Sequence, residues 1–68
     1  MMNLGTKTLM QCKTKTLYQI YEIVTDRFGT HFNPISWYVS YFDKYSNSWT
    51  ESKRFGYSRD ARQFYRTI

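Results

Sequence analysis

Sixty-eight residues make one small domain, and a lone Cys12 and a lone His31 exclude both a disulfide framework and a Cys/His metal cluster as its means of support. Ten Lys and Arg against five Asp and Glu give a net charge of +5 and a pI near 9.6, which favours a polyanion, an anionic membrane surface or an acidic protein as partner. Seven Tyr, five Phe and two Trp make 21% of the chain aromatic, so a few large rings can build the core.

Charge divides unevenly: residues 1–16 carry +3, residues 17–52 carry −2 and residues 53–68 carry +4. Residues 1–13 read as a flexible tail or an added strand, ahead of one domain over 14–68. Within this first stretch Thr6-Lys7-Thr8-Leu9-Met10-Gln11 recurs as Thr14-Lys15-Thr16-Leu17-Tyr18-Gln19. Two copies of a hexapeptide are too short for a solenoid. Cys12 falls in this segment and is expected to have no structural role. With no segment resembling a membrane span or signal peptide, a reducing cytoplasm is the expected compartment.

Residues 14–24 predict the first strand, since Tyr18, Ile20, Tyr21, Ile23 and Val24 are aromatic or β-branched. Residues 25–36 predict a long loop, on the turn formers Asp26, Gly29, Asn33, Pro34 and Ser36, with Phe28 and Phe32 folding back on the core. Residues 36–43 predict the second strand, with Trp37, Val39 and Tyr41 on one face and Tyr38, Ser40 and Phe42 on the other. Residues 44–47 read as a hairpin turn and residues 48–55 as the third strand. Ser58 reads as the N-cap of a helix whose Ala61, Phe64, Tyr65 and Ile68 form one apolar stripe. The expected class is α+β: a three-stranded antiparallel sheet packed on one C-terminal helix, β-β-β-α. A helix of about ten residues spans roughly 15 Å and covers one sheet face at most, leaving the other, with Tyr38 or Phe42, either open to a partner or covered by the N-terminal segment and the 25–36 loop.

The run Ser36-Trp37-Tyr38-Val39-Ser40-Tyr41-Phe42-Asp43, followed by a turn, Phe55, Ser58, Ala61 and Phe64, resembles the arm-type DNA-binding domain of phage-type tyrosine integrases. Small phage proteins share a similar Trp-strand, hairpin and capped-helix pattern. The resemblance spans residues 36–66. The hairpin lacks that family's usual glycine, the cap falls one residue late, and no catalytic integrase domain follows. The resemblance implies a sheet face that meets DNA, with Lys53 and Arg54 matching the family's basic contacts.

The residues themselves point the same way. Arg59, Arg62 and Arg66 fall at i, i+3 and i+7, a basic stripe beside the apolar one. Lys53, Arg54 and Lys15 extend the basic surface, and Tyr38 can stack on a base. His31 with Asp26 lacks the second group that acid–base catalysis needs, and no glycine-rich phosphate loop is present. The expectation is a non-enzymatic nucleic-acid-binding module without cofactor or metal, encoded by a phage or mobile element and binding DNA in preference to RNA. Two other classes use the same surface: an inhibitor or modulator of an acidic host or defence protein, and a homodimer joined through an open sheet edge.

Overall fold

A computed structural model describes residues 3–68. Five antiparallel strands precede one helix: β1 (Asn3–Gln11), β2 (Lys15–Asp26), β3 (Gly29–Asp43), β4 (Ser48–Trp49), β5 (Lys53–Phe55) and α1 (Ser58–Thr67). The strands lie in the order β1-β2-β3, and both short strands pair with the outer side of β3. The α+β arrangement is the one expected, an antiparallel sheet followed by a single helix that packs on it, but the strands are distributed differently.

Of the two readings of the first residues, the added strand holds: residues 3–11 pair with β2 from Asn3↔Ile23 to Gln11↔Thr16. Two differences stand out. Residues 25–36 are not a loop: β2 and β3 form one ladder from Lys15↔Tyr41 to Asp26↔Gly29, closed by Arg27 and Phe28. The Asp26 carboxylate accepts from the Phe28 N–H at 2.7 Å, and Gly29 takes φ 122, a conformation other residues rarely adopt. Asn33 and Pro34 lie where β3 has no strand on its outer side and next to a register shift, and sheet edges and bulges are the places that tolerate proline. Finally, the single strand expected over 48–55 is two, interrupted at 50–52. Thr50 bridges the gap: its N–H donates to the Tyr41 carbonyl at 2.8 Å, and its hydroxyl accepts from the Tyr41 N–H at 3.2 Å. In the β3–β4 turn Asn47 takes φ 54, the role a glycine would otherwise fill.

The core forms where the helix meets the sheet. Leu17 and Val39 are opposite each other in the β2–β3 ladder and fully buried, and Ala61 and Tyr65 close over them. Leu9, Met10, Trp37, Phe55 and Phe64 pack around this centre. Phe64 reaches Phe55 at 5.4 Å and Tyr41 at 6.3 Å between ring centroids. Ser58 is not the N-cap. Tyr57 holds that place with an extended backbone and makes no side-chain cap bond, while Ser58 is already helical. The Ala61 N–H donates to the Tyr57 carbonyl at 3.2 Å, so the helix starts one residue before the serine can cap it. Ile68 falls just after the helix and is 37% exposed, so the apolar stripe ends at Tyr65.

The molecule is elongated, 51 × 22 × 18 Å, with a radius of gyration of 14.2 Å. A compact chain of this length would have about 11 Å. The long axis is β3 itself, whose fifteen residues span roughly 50 Å at the usual strand rise. The helix covers only the end holding Leu17 and Val39. The β2–β3 hairpin, flanked by the start of β1, projects beyond it as an arm with Leu4, Phe28, Phe32 and Ile35 exposed. On this arm Gly5 pairs with Tyr21, whose ring lies where a Gly5 side chain would stand, 2.5 Å from an added Cβ.

These contacts separate two helix substitutions. Phe64→Ala should lower stability by about 3 kcal/mol, the low end of the range for a lost phenylalanine because its ring is half-buried. Ser58→Ala should change it by no more than ~0.5 kcal/mol, since no cap bond is lost. Thermal or urea denaturation of both variants checks the contrast.

Candidate nucleic-acid interface

Arg59, Arg62 and Arg66 project from one side of α1 because a helix returns to the same face every three to four residues. With Ser58 and Gln63 they line a shallow open depression of about 450 Å³. Arg62 lies toward the sheet's β1 side, with its Nη1 3.7 Å from the Met10 sulfur. Among the described residues the one ion pair is His31–Asp26 at 3.4 Å, on the exposed hairpin end. None of the ten Lys and Arg side chains is held by an Asp or Glu, and the three helix arginines are all exposed. A guanidinium that is neither buried nor neutralised is free to bind an external anion.

The remaining basic residues do not join this stripe. Lys15 is committed to the fold: its Nζ donates to the main-chain oxygens of Tyr65 at 2.7 Å and Ile68 at 3.1 Å and sits 4.5 Å from the Tyr65 ring centroid. It caps the helix C-terminus, where a positive charge is favoured. Lys53 and Arg54 are consecutive in a strand and so project to opposite faces. Lys53 pairs with Val39 on the helix side and lies 4.8 Å from the Phe64 ring and 5.6 Å from that of Phe55. Arg54 pairs with Tyr38 on the side away from the helix. The two therefore cannot serve together on one DNA-facing sheet surface, as the integrase resemblance implies.

Tyr38 is on that far side, stacked on Tyr18 with ring centroids 5.3 Å apart and planes 11° from parallel. One face of each ring is thus occupied, and the Tyr18 hydroxyl donates to Ser52 at 2.9 Å. Phe42 and Trp49 meet edge-on on the same side, at 6.3 Å. The sheet face opposite the helix is therefore aromatic but weakly charged, and the charge lies on the helix.

Two features were not anticipated. One is a depression of about 400 Å³ on the arm, lined by Thr6, Lys7, Gln19, Tyr21, Phe32 and Pro34. Only the pairing of residues 3–8 and 29–36 with β2 brings these together. Tyr21 and Phe32 meet there edge-to-face at 5.5 Å. The other is Cys12, which is exposed in the β1–β2 turn beside the core rather than in a tail. The Thr14 N–H and hydroxyl address its sulfur, with Sγ 3.6 Å from Thr14 Oγ1, and bring the thiol pKa down to about 7. The Tyr65 hydroxyl contributes as well. Burial, and then the bond to Cys12 and its charge, push the Tyr65 phenol upward.

No group of three His, Cys, Asp or Glu able to hold a metal, and no helix long and apolar enough to cross a membrane, occurs among the described residues. No family model, curated protein or solved structure matches the chain.

Two measurements test this assignment of side chains. Lys15→Met should cost about 1 kcal/mol in a denaturant melt, as loss of a C-terminal charge partner does, while leaving the arginine stripe intact. Labelling of Cys12 by a thiol reagent should reach half its plateau rate near pH 7, since a stabilised thiolate forms there. Because the folded value is the depressed one, the thiolate's contribution to stability is present above pH 9 and is lost as pH falls through 7. Cys12→Ser should erase that pH dependence.

Proposed function

We propose that the protein is a small, non-enzymatic nucleic-acid-binding module that grips the phosphate backbone of duplex DNA with α1. The supporting observation is the set of three exposed guanidiniums, Arg59, Arg62 and Arg66, on one helix face with no acid holding any of them. From Arg59 to Arg66 the stripe runs about 10 Å along the helix, the length of about three base-pair steps. Such a stripe contacts phosphates and reads little sequence, so the affinity it supplies is modest and salt-sensitive. Duplex is favoured over single strands because the Tyr18–Tyr38 stack lies on the other side of the sheet, out of line with the arginines. A phage or mobile-element setting follows from the integrase resemblance alone.

A second reading is favoured by a different observation. The arm exposes Phe28 at 77% and Phe32 at 60%, which suits a protein partner better than a phosphate backbone. On this reading the protein modulates a host or defence factor.

Fluorescence anisotropy with random-sequence duplex and single-stranded probes separates the two. Three phosphate contacts predict a slope of log K against log salt of about −2.7 on duplex DNA. Arg59→Ala, Arg62→Ala and Arg66→Ala together should bring it close to zero while the thermal melt is preserved. Absence of duplex binding even at low salt overturns the nucleic-acid reading. Retention of one host protein after nuclease treatment, lost on Phe28→Ser with Phe32→Ser, would then establish the other.

A further inference from the structure

We propose that the depression on the arm is a binding site for an unpaired nucleotide, with the base against Tyr21 and Phe32 and the phosphate at Lys7. The site lies on the helix side of the sheet. β2 alternates regularly, so Gln19 and Tyr21 share the face of Leu17. Each neighbouring strand carries one extra residue, Leu9 in β1 and Ile35 in β3, and each extra residue reverses the side that the rest of its strand presents. Lys7 thereby opposes Gln19, Pro34 opposes Tyr21 and Phe32 opposes Ile23. Without the two bulges Lys7, Pro34 and Phe32 would turn to the other face, away from Tyr21.

The walls suit a flat ring that carries an anion. Tyr21 and Phe32 stand at 83° to each other with centroids 5.5 Å apart, so a base stacked on one ring meets the edge of the other. Tyr21 leans over β1 because Gly5 leaves that place empty: an added Cβ would fall 2.5 Å from the ring. The open volume of about 400 Å³ falls within the range of small-ligand sites, roughly 300–1,000 Å³. Lys7 is the one charged residue in the lining, and it is exposed with no Asp or Glu holding it among the described residues. An uncompensated ammonium selects an anion. The Gln19 amide, both donor and acceptor, makes no side-chain hydrogen bond among the described residues and is free to meet a base edge.

The choice of a nucleotide over other ring-bearing anions rests on the phosphate-backbone reading of α1, because the two sites share a sheet face and a border. Arg62 reaches Met10 in β1, and Lys7 is roughly 10 Å further along the same strand. A nucleic-acid strand whose phosphates follow the arginines is led past Lys7, where a nucleotide outside any base pair can turn its base into the depression. A free mononucleotide carries the same two groups, a flat base and a phosphate.

The test titrates the full-length protein with AMP and with adenosine by NMR, and measures anisotropy of a blunt duplex and of the same duplex with a short adenine tail. AMP should shift the Gln19 side-chain amide and the Tyr21 ring signals, and bind more tightly than adenosine. Phe32→Ala should weaken both about tenfold, as loss of a stacking partner does. Lys7→Gln should weaken AMP alone and so erase the difference between the two probes. Gly5→Ala should weaken both by displacing the Tyr21 ring, and all of these variants should keep the parent's helix signal on heating. A tail that tightens duplex binding, with the gain lost in Phe32→Ala, identifies the nucleotide as part of a strand; AMP binding without a tail effect identifies it as free. No AMP shift at about 10 mM together with no gain from the tail overturns the proposal. So does binding that survives both Phe32→Ala and Gly5→Ala, or N-acetylphenylalanine binding more tightly than AMP. A duplex salt slope of about −2.7 with neither AMP nor tail effect sinks this site alone. AMP binding that obeys these variants without any duplex binding sinks the helix reading and leaves the site standing for a free nucleotide.

Discussion

Leu17 and Val39 face each other across the β2–β3 ladder, both shut off from solvent, and the helix has nowhere else to dock. Its two buried residues, Ala61 and Tyr65, lie over this pair. A one-residue slip of the ladder would turn Leu17 to the other face and leave the helix without a seat. Lys15, two positions before Leu17 on the same face, ties down the helix C-terminus through the main-chain oxygens of Tyr65 and Ile68. The same strand segment thus supplies the apolar floor and the polar clasp. The N-terminal end of the helix has no side-chain cap and is held by buried Ala61 and the bond from its N–H to the Tyr57 carbonyl.

This register also decides where charge can act. A helix gathers residues spaced by three and four, so Arg59, Arg62 and Arg66 share one side. A strand disperses neighbours, so Lys53 covers the Phe64 ring while Arg54 shares the opposite face with Tyr38. Five of the six basic residues in the candidate surface lie within fourteen positions of one another, yet only three form a continuous surface. Proximity in sequence overstates the patch, and secondary structure selects its members.

The elements governed by local periodicity were legible in the chain. The two-residue alternation of 36–43 and the helical spacing of Ala61, Phe64 and Tyr65 require no distant information. The arginine stripe was legible for the same reason. Residues 25–36 were not, because their turn formers are spread over twelve positions while the turn uses only Asp26 to Gly29. Asn33 and Pro34 break a central strand but are tolerated on an edge, and nothing local says which edge is free. Ser58 misled because a capping residue functions only with extended backbone, and that conformation belongs to Tyr57. The role of Lys15 depends on partners fifty or more positions away, a tertiary contact no local pattern displays.

The arm beyond the helix has a consequence for cooperativity. It is held by strand pairing and by half-exposed rings such as Tyr21 and Phe32, with no buried residue comparable to Leu17. Its hydrogen bonds can open from the Arg27–Phe28 end without disturbing the helix, and each opened pair exposes little further apolar surface. Local stability should therefore grade from the tip of the hairpin to its base rather than rise in one step. A chain of this size would ordinarily unfold as one unit, but here heat would first shorten a ribbon and only then melt a domain. A spectroscopic signal from Tyr21 and one from the helix would report different transitions in the same molecule.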